Sequence, residues 1–425
     1  MHTYLCDENT LKQCKIYKML LEDSFKEHLS FHTPGHKVGA WDITELSFSD
    51  NLSSPKGCIA EAEKDIAEIL GAAKSFILTD GSTSGVLSML CAAKNLGVKT
   101  VAFCVNSHKS VFNGCKLLGL TPLIFEGKTQ NEVGKYALSA IFDGADALFF
   151  TSPDYYGNIV DLKTIREYCD KTGKLLLIDG AHGGHLHFDK NAYAGAYADL
   201  WVDGVHKSLP AFTQGAVVSA RTEVLAEKLH EGVDIFRTTS PSYPIMASVE
   251  YAVKYPRNNE LEKRAWALQQ NLRILKNDDW TKVCTLFGEN AFEAEKALEA
   301  EGIYPEFCDG NIVTFYLSPA TALEDFEKLE NRLKSLFEAY PYAPKKVSQQ
   351  IHTPLVLDKN AKTEWLEIAQ AEGKMCAASC GLFPPCTPLI FAGERITKEK
   401  LELLEKANNV FGINENKVLV LKEEG

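Results

Sequence analysis

Between residues 75 and 220, short apolar segments alternate with amphipathic ones. The apolar segments have almost no polar interruptions, which is typical of strands buried on both faces. The amphipathic segments carry apolar residues at helical spacing. This alternation predicts a mostly parallel sheet whose strands are joined by helices. The predicted strands are residues 75–79, 100–105, 122–126, 147–152, 175–179, 200–205 and 215–220.

The helical pattern changes along the chain. In the first part, amphipathic helices are predicted at 9–28, 58–70, 84–95 and 110–118. After about residue 255 the helices become long and charged and accompany one good strand; these elements are 260–276, 321–339 and 312–317. A chain of 425 residues also exceeds what one hydrophobic core usually serves. We therefore expect three parts: an N-terminal helical arm (1–30), a large α/β domain (31–255) and a smaller α+β domain (256–425).

The composition is that of an ordinary globular protein. Hydrophobic residues make up 45% and charged residues 24% of the chain, which argues against extensive disorder. The formal net charge is -12, and Lys and Arg form no cluster. Because binding to a phosphate backbone requires a basic face, we expect no nucleic-acid partner.

The N-terminal residues and the cysteines give information about the cellular location of the protein. The first ten residues are polar and lack the pattern of a signal peptide, and no apolar stretch is long enough for a membrane helix. The twelve cysteines contain no Cys-x-x-Cys pair, and the closest group is Cys376, Cys380 and Cys386. This spacing fits neither a zinc site nor a disulfide framework. We expect reduced thiols, a cytoplasmic location and no membrane partner.

Two residues at predicted strand ends are candidates for chemistry. Lys207 closes a strand-like run, where poor solvation would make it a usable amine nucleophile. Asp179 closes the strand 175–179, so we expect its carboxylate in the same crevice beyond the strand ends. Such a carboxylate can keep a pyridine nitrogen protonated. The alternatives are a lysine that simply enters water and an aspartate that caps a helix.

A Gly/Ser-rich turn at 80–85 joins a predicted strand to a predicted helix. Small residues let the backbone approach an anion, and a helix N-terminus offers N–H groups to a phosphate. The hydroxyls of Ser82, Thr83 and Ser84 are further candidate donors. No Gly-Lys-Ser/Thr follows, so the turn is not a P-loop. Because similar turns occur without any ligand, the turn alone leaves its function open.

The turn at 80–85, Asp179 and Lys207 follow one another along the chain in this order. In this arrangement the chain resembles the ornithine/lysine/arginine decarboxylase family of fold-type-I pyridoxal-phosphate (PLP) enzymes. The matching segments are FHTPGHKVG (31–39), TDGSTSG (79–85), NSHKSVFNG (106–114), TSPDYYGNIVD (151–161), IDGAHGGHLHF (178–188), VHKSLPAFTQGA (205–216), TTSPSYPIMAS (238–248) and, more faintly, FPPCTPLIFAGERIT (383–397). The resemblance implies a fold-type-I large domain with a mostly parallel sheet, a smaller C-terminal domain, and PLP as the cofactor.

The resemblance also implies catalytic roles. Lys207 would hold the cofactor as a Schiff base, with His206 beside it. Asp179 would be the partner of the pyridinium nitrogen, and His108 would stack on one face of the ring. Lys207 or His206 would donate the proton to Cα of the substrate, and the sequence leaves this choice open.

Further residues would bind the cofactor. Ala181 would pack against the second ring face, and His182 would lie near the ring hydroxyl. Thr239 would reach the phosphate of a neighbouring subunit's site, which implies a homodimer or a higher homo-oligomer with shared active sites. The full implied set is Ser82, Thr83, Ser84, His108, Asp179, Ala181, His182, His206, Lys207 and Thr239.

The chain departs from the family pattern at two glycines. Gly204 stands where the family's Ser-Thr-His-Lys run has Ser or Thr, so we expect one phosphate hydroxyl to be missing. Gly180 stands where the family's Asp-Glu-Ala-His run has Glu. From the resemblance we also expect a chain that is short for the family, with a reduced C-terminal part and no N-terminal extension domain. Substrate specificity and higher assembly therefore stay open.

The histidines allow a competing metal interpretation. His182, His185 and His187 lie close together in sequence, as do His32 and His36. A closed metal site needs a fuller ligand set, and no cysteine or paired carboxylate completes either group. We therefore expect no metal.

The function implied by the resemblance is α-decarboxylation of lysine, arginine or ornithine to a polyamine-type amine and CO₂. The distal cation of such a substrate needs a carboxylate partner, for which Asp154 and Glu394 are candidates. One alternative is a different PLP reaction: aminotransferase, aldolase or side-chain lyase. Another is a non-catalytic regulatory relative, because one fold hosts many functions.

Overall fold

The computed structural model describes residues 7–24, 29–37, 41–125, 138–271, 273–344, 361–383, 388–407 and 409–422. Parts of several predictions lie outside the described residues, namely the end of the helix 9–28, residue 126, residues 38–39, residue 272 and residues 384–387 with Cys386. The chain divides into two compact units. One comprises Met1–Cys104, Ser110–Glu262 and Leu317–Thr321, and the other comprises Val105–Lys109, Lys263–Tyr316 and Ala322–Gly425.

The first unit is built around one large sheet. Its strands are β1 (Lys74–Leu78), β2 (Thr100–Cys104), β3 (Thr121–Phe125), β4 (Ala147–Thr151), β5 (Leu175–Gly180), β6 (Leu200–Asp203) and β7 (Ala216–Ala220). In the described residues they form a seven-stranded sheet of order β1-β7-β6-β5-β4-β2-β3. From β3 to β6 neighbours run parallel, whereas β7 is antiparallel to β6 and β1. The mostly parallel α/β fold is confirmed, and so are the predicted strands, except that the strand 200–205 ends at Asp203.

Helices accompany these strands. In chain order they are α1 (Glu8–Leu11), α2 (Lys15–Ser24), α3 (Cys58–Leu70), α4 (Ser82–Asn95), α5 (Lys109–Leu118), α6 (Leu138–Phe142), α7 (Leu162–Thr172), α8 (Val205–Ser208), α9 (Glu223–Phe236) and α10 (Tyr243–Lys254). Val86 and Met89 of α4 join Leu229 of α9 and Val202 and Val218 of the sheet in one buried core. The core therefore fixes the start of α4 relative to the strand ends.

The structure corrects the predicted helix 9–28, which is interrupted between α1 and α2. The carboxylate of Glu250 accepts hydrogen bonds from the backbone N–H groups of Lys15 (2.7 Å) and Ile16 (2.9 Å). Glu250 is fully buried and lies on α10. The first N–H groups of a helix lack partners within the helix, so this carboxylate satisfies the start of α2.

The structure also corrects the predicted position of Lys207. It does not end a strand: β6 ends at Asp203, and Lys207 lies in the short helix α8. The backbone N–H of Lys207 donates to the carbonyl of Gly204 at 2.9 Å, which closes a helical turn. The amine is therefore presented by a turn that follows the strand.

The described residues of the second unit form three small antiparallel sheets. Their orders are β8-β10-β9, β11-β16-β15 and β13-β12-β14. The strands are β8 (Lys282–Leu286), β9 (Phe307–Cys308), β10 (Ile312–Tyr316), β11 (Thr363–Glu367), β12 (Cys380–Leu382), β13 (Pro388–Ile390), β14 (Val410–Phe411), β15 (Ile413–Asn414) and β16 (Lys417–Leu421). The later helices are α11 (Asn259–Leu268), α12 (Ala291–Glu299), α13 (Leu323–Ala339) and α14 (Lys398–Lys406). In the described ranges, no helix combines the length and apolar character needed to cross a bilayer.

Candidate active site

Two neighbouring parallel strands bring Asp179 and Lys207 to the same edge of the large sheet. Asp179 lies near the carboxyl end of β5 and pairs in register with Val202 of β6. Lys207 follows β6 in the helix α8, after Gly204. The positive charge of Lys207 acts on the carboxyl of Asp179 and favours its ionised form. This edge is the one at which open α/β sheets bind ligands.

Lys207 is half-buried, and its amine meets two rings. Its Nζ lies 3.2 Å from Nε2 of His182 and 5.8 Å from the centre of the Tyr155 ring. His182 is itself only 3% exposed. An amine that is shielded from bulk water in this way suits a nucleophile better than a solvated surface lysine does.

Asp179 is a buried carboxyl, only 3% exposed. Its Oδ1 accepts a hydrogen bond from the backbone N–H of Ala181 at 3.1 Å. Burial raises the pKa of Asp179, while the charge of Lys207 and the Ala181 N–H act in the opposite direction. A cationic ligand group beside this carboxyl would offset the cost of its burial.

The His206 ring is held by a single backbone carbonyl. The oxygen of Gly215 lies 3.1 Å from the His206 backbone N–H and 2.9 Å from its Nδ1. This contact assigns the proton to Nδ1 and leaves Nε2 as an acceptor. Burial lowers the pKa of His206. The ring is therefore neutral near neutral pH, with Nε2 as a hydrogen-bond acceptor.

The structure explains why a glycine occupies position 204. A Cβ at Gly204 would lie 2.4 Å from the carbonyl oxygen of Ala181. The φ of Gly204 is -81°, an ordinary value, so the cause is close packing rather than backbone conformation. With the backbone as it stands, no side chain fits here, and a hydroxyl could not be gained without moving Ala181.

A second buried acid, Asp203, was missed by the sequence analysis. Tyr193 donates its hydroxyl to Oδ2 of Asp203 at 2.6 Å, and Trp201 donates Nε1–H to the Tyr193 oxygen at 2.9 Å. Burial raises the pKa of Asp203 to about 7. A Cβ at Gly180 would lie 3.2 Å from Oδ1 of Asp203, so the small residue there leaves room for this carboxyl. The available signal was the position of Asp203 at the end of an apolar run, as for Asp179.

The turn before α4 places an open helix N-terminus at the end of β1. Gly81 has φ +83° and ψ 167°, a conformation that L side chains rarely adopt. No side chain caps α4, so its first N–H groups are available to an anion. The Ser84 hydroxyl lies 2.8 Å from both Asp80 Oδ1 and the Gly81 carbonyl. Ser84 therefore stabilises the turn, whereas Ser82 is half-buried and Thr83 is exposed.

Thr239 lies on the connection between α9 and α10 and is exposed. Its neighbour Thr238 donates its backbone N–H to Oδ2 of Asp80 at 2.9 Å, which ties this connection to the turn before α4. Arg237, 7% exposed, donates to the backbone carbonyl of Leu52 at 2.9 Å. The connection is thus anchored on one side and presents Thr239 outward.

His108 lies immediately before α5 and is half-buried. Its segment, Val105–Lys109, belongs to the second compact unit, whereas Asp179 and Lys207 belong to the first. Its predicted stacking role therefore stays a prediction.

The two candidate partners for a substrate cation are already engaged. Asp154 Oδ1 accepts hydrogen bonds from the backbone N–H groups of Tyr156 and Asn158, both at 2.9 Å. In the second unit, Glu394 is 3% exposed, accepts from the backbone N–H of Phe391 at 2.9 Å and pairs with Lys400. Both carboxylates therefore have structural partners within the chain.

The other histidines have local contacts. His187 Nδ1 lies 2.7 Å from the Gly184 carbonyl, and burial lowers its pKa to about 4. His36 Nε2 lies 2.9 Å from Asp42 Oδ2. In the part of the chain that the structure describes, no group of three or more His, Cys, Asp or Glu side chains is arranged to hold a metal ion.

Comparison with solved structures agrees with this fold. The constitutive lysine decarboxylase of Escherichia coli superposes with a TM-score of 0.69 at 19% identity, covering 97% of this chain and 82% of that chain. A serine palmitoyltransferase solved with PLP has a TM-score of 0.57 at 15% identity, covering 78% of this chain and 85% of the other. At these identities the likeness concerns the fold, which is that of fold-type-I PLP enzymes.

The residues at the sheet edge fit PLP, which carries a phosphate, a basic ring nitrogen and an aldehyde. The uncapped N-terminus of α4 suits the phosphate, the buried Asp179 suits the protonated nitrogen, and Lys207 suits the aldehyde. Thr79 begins the same turn, is 5% exposed, and its Oγ1 has no hydrogen-bond partner among the described residues. A buried donor of this kind is expected where a ligand completes the site. Together with the fold, these residues indicate PLP as the cofactor.

Sequence comparison gives the family. The model for the major domain of Orn/Lys/Arg decarboxylases matches residues 14–287. The uncharacterized protein YaaO of Bacillus subtilis is 28% identical over 96% of this chain and 98% of its own length. The arginine decarboxylase of the same organism is 25% identical over 92% of this chain and 93% of its own length. With a family model that covers well over half of its length, the chain belongs to the Orn/Lys/Arg decarboxylase family.

Proposed function

We propose that the protein is a PLP-dependent α-decarboxylase that converts a basic amino acid to an amine and CO₂. The observation that carries the proposal is the placement of a shielded amine, Lys207, and a buried carboxyl, Asp179, at one edge of the family's sheet. The names of relatives, which include arginine and lysine decarboxylases, support the reaction class and a basic substrate.

When bound, PLP supplies a ring that accepts the electron pair left on Cα as the carboxylate departs. The contribution of Asp179 is electrostatic. Its buried carboxylate would keep the ring nitrogen of the cofactor protonated, and the positive charge of that nitrogen would lower the cost of burying the carboxylate. The contact with the Ala181 N–H fixes the direction of Oδ1, so the charge does not need to reorganise during the reaction.

The amine of Lys207 would bind the cofactor aldehyde, and it is one of two candidates for delivering a proton to Cα. The second candidate for delivering a proton to Cα is His206. Because the Gly215 carbonyl holds the ring with Nδ1 protonated, Nε2 must first take up a proton before it can deliver one.

The phosphate is bound by the start of α4 in this proposal. The N–H groups at the uncapped end and the hydroxyls of Ser82 and Thr83 are the donors. Ser84 acts indirectly by bonding to Asp80 and Gly81. The absence of a hydroxyl at Gly204 leaves this α4 site to supply a larger share of the phosphate contacts.

We further propose a homodimer or higher homo-oligomer in which Thr239 completes the phosphate site of a second copy. The outward position of Thr239 on an anchored connection supports this role. Mixing Lys207→Ala with Thr239→Ala tests it. If sites are shared, the mixture regains activity that neither variant has alone; if they are not, activity does not exceed the sum of the two.

The experiment that tests the function is amine detection by mass spectrometry. The protein is supplied with PLP and, separately, with lysine, arginine or ornithine. We expect one diamine or agmatine, lost in Lys207→Ala and retained in Lys190→Ala, which removes an exposed lysine instead. A keto acid or an aldehyde in place of amine plus CO₂, or no amine from any of the three with PLP bound at Lys207, would overturn the proposal.

A further inference from the structure

The ring of Tyr155 packs against the ring of His182. The two ring centres are 4.2 Å apart, and the planes are tilted by 53°. Tyr155 lies on the connection between β4 and α7, whereas His182 follows β5. The contact therefore joins two separate loops at the edge of the sheet that carries Asp179.

The same tyrosine also reaches Lys207. The Lys207 Nζ lies 5.8 Å from the centre of the Tyr155 ring and 3.2 Å from His182 Nε2. A cation within about 6 Å of an aromatic ring centre is attracted by the ring electrons. One aromatic ring thus contacts both members of the Lys207–His182 pair.

The loop that carries Tyr155 is held firmly by its own hydrogen bonds. Besides the two backbone N–H groups bound by Asp154 Oδ1, Oδ2 accepts the Asn158 side chain at 2.8 Å. The backbone N–H of Asp154 donates to the Asn158 carbonyl at 3.0 Å. These bonds close the loop from Asp154 to Asn158, with Tyr155 inside it.

The loop also packs against the residue after His182. A Cβ at Gly183 would lie 2.7 Å from Cδ of Pro153, which shows how closely the two chain segments approach. The glycine therefore permits the approach that brings Tyr155 onto His182. The ring contact is supported by backbone packing beside it.

We propose that Tyr155 is a positioning residue for the Lys207–His182 pair. Its ring holds the His182 imidazole beside Lys207 Nζ and stabilises positive charge on that nitrogen. The inference deepens the proposed function and rests on it only in its consequence for catalysis, because the contacts themselves belong to the protein alone.

Other groups also act on the charge of Lys207. Asp179 favours the ammonium form, and His206, whose own titration is affected by Lys207, lies beside it on α8. His182 favours the ammonium when its Nε2 accepts a hydrogen bond from Lys207 Nζ. Because all three remain in Tyr155 variants, a change in the basicity of Lys207 reports the loss of the tyrosine ring and its hold on His182.

The test measures the basicity of Lys207 directly. The rate at which acetic anhydride labels Lys207 is followed against pH by peptide mass spectrometry, on protein freed of PLP. In Tyr155→Leu we expect the midpoint to fall by about one pH unit, because a shielded cation–π contact of about 1.4 kcal/mol corresponds to that shift. In Tyr155→Phe, which keeps the ring, we expect a midpoint close to that of the wild type.

Tyr156→Leu is the matched control, one position along the same loop. If it shifts the midpoint as far as Tyr155→Leu, or if Tyr155→Leu shifts nothing, the inference is wrong. If Tyr155→Phe shifts as far as Tyr155→Leu, the hydroxyl rather than the ring acts, which also overturns it. These outcomes are independent of amine formation, so failure of the proposed function and failure of the inference are distinguishable.

The holoenzyme gives a second readout. With PLP bound, the absorbance of the cofactor is followed against pH in the wild type, Tyr155→Phe and Tyr155→Leu. We expect the absorbance midpoint to fall in Tyr155→Leu and to remain in place in Tyr155→Phe. A purely structural role would lower thermal stability without moving either midpoint.

Discussion

The neighbouring strands β5 and β6 each carry a buried aspartate near the carboxyl end, but the two carboxyls meet different partners. Asp179 accepts a hydrogen bond from the backbone N–H of Ala181, and the positive charge of Lys207 stabilises its ionised form. Asp203 accepts the hydroxyl of Tyr193, which in turn accepts from Trp201. The first carboxyl is arranged for a cation, whereas the second is enclosed in a neutral network. The comparison shows that partners, rather than position on a strand, separate a ligand-binding acid from a structural one.

Replacing each aspartate by asparagine tests this contrast most strongly. Asp179→Asn keeps the shape and removes the charge, so we expect kcat/KM for amine formation to fall on the order of 10²-fold or more, as when one preorganised electrostatic contact is lost. Asp203→Asn is the matched control, with an expected change within about threefold. Steady-state kinetics on both variants decide the matter. Equal losses would remove the distinction between the two acids.

The pH dependence of stability sharpens the same contrast. The pKa of Asp203 is raised to about 7 by burial, whereas an aspartate in an unfolded chain titrates near 4. The folded protein therefore holds an extra proton between these values. The contribution of Asp203 to the free energy of unfolding is full below about pH 4 and is lost as the pH rises through about 7.

Asp203→Asn should abolish that contribution. We expect the free energy of unfolding of the wild type, relative to the variant, to fall by roughly 2–4 kcal/mol between pH 4 and pH 7. Urea unfolding at several pH values measures it, and the other carboxyls cancel because both proteins contain them. If the difference in free energy of unfolding between the two proteins does not change with pH, Asp203 is not held neutral by its surroundings.

Substitution of Gly204 tests the close packing between the chain after β6 and the chain after β5. Because a Cβ would lie 2.4 Å from the Ala181 carbonyl oxygen, we expect Gly204→Ala and Gly204→Ser each to lower the free energy of unfolding by about 1–3 kcal/mol. Chemical unfolding measures both. If the serine were instead to tighten PLP binding without loss of stability, the packing explanation would be wrong.

The smallest expected effects separate two serines of the α4 turn. Ser82→Ala should weaken PLP binding several-fold with little change in stability, because its hydroxyl is proposed to face the phosphate. Ser84→Ala should lower the free energy of unfolding by about 1 kcal/mol, because it loses the contact with Asp80. Fluorescence titration with PLP and thermal unfolding distinguish them. The reverse pattern would exchange their roles.

The fold was largely predictable because uninterrupted apolar runs mark strands buried on both faces. The run 200–205 was extended too far, since only Gly204 marks the point where β6 gives way to α8. The partners of the site residues were harder to predict, because the contacts of Tyr155 with His182 and of Gly204 with Ala181 join different loops. Asp203 was overlooked although it ends an apolar run, as Asp179 does. Its partner Tyr193 lies outside that run, and no periodic sequence pattern connects the two residues.

The proposal that Lys207 binds PLP is tested most directly by identifying the residue to which the cofactor is attached. The protein is loaded with PLP, treated with borohydride to fix the cofactor to its amine, digested and analysed by mass spectrometry. We expect the added mass on the peptide that contains Lys207, with weaker labelling in Asp179→Asn and none in Lys207→Ala. Labelling spread over exposed lysines such as Lys190, or none at Lys207, would contradict it.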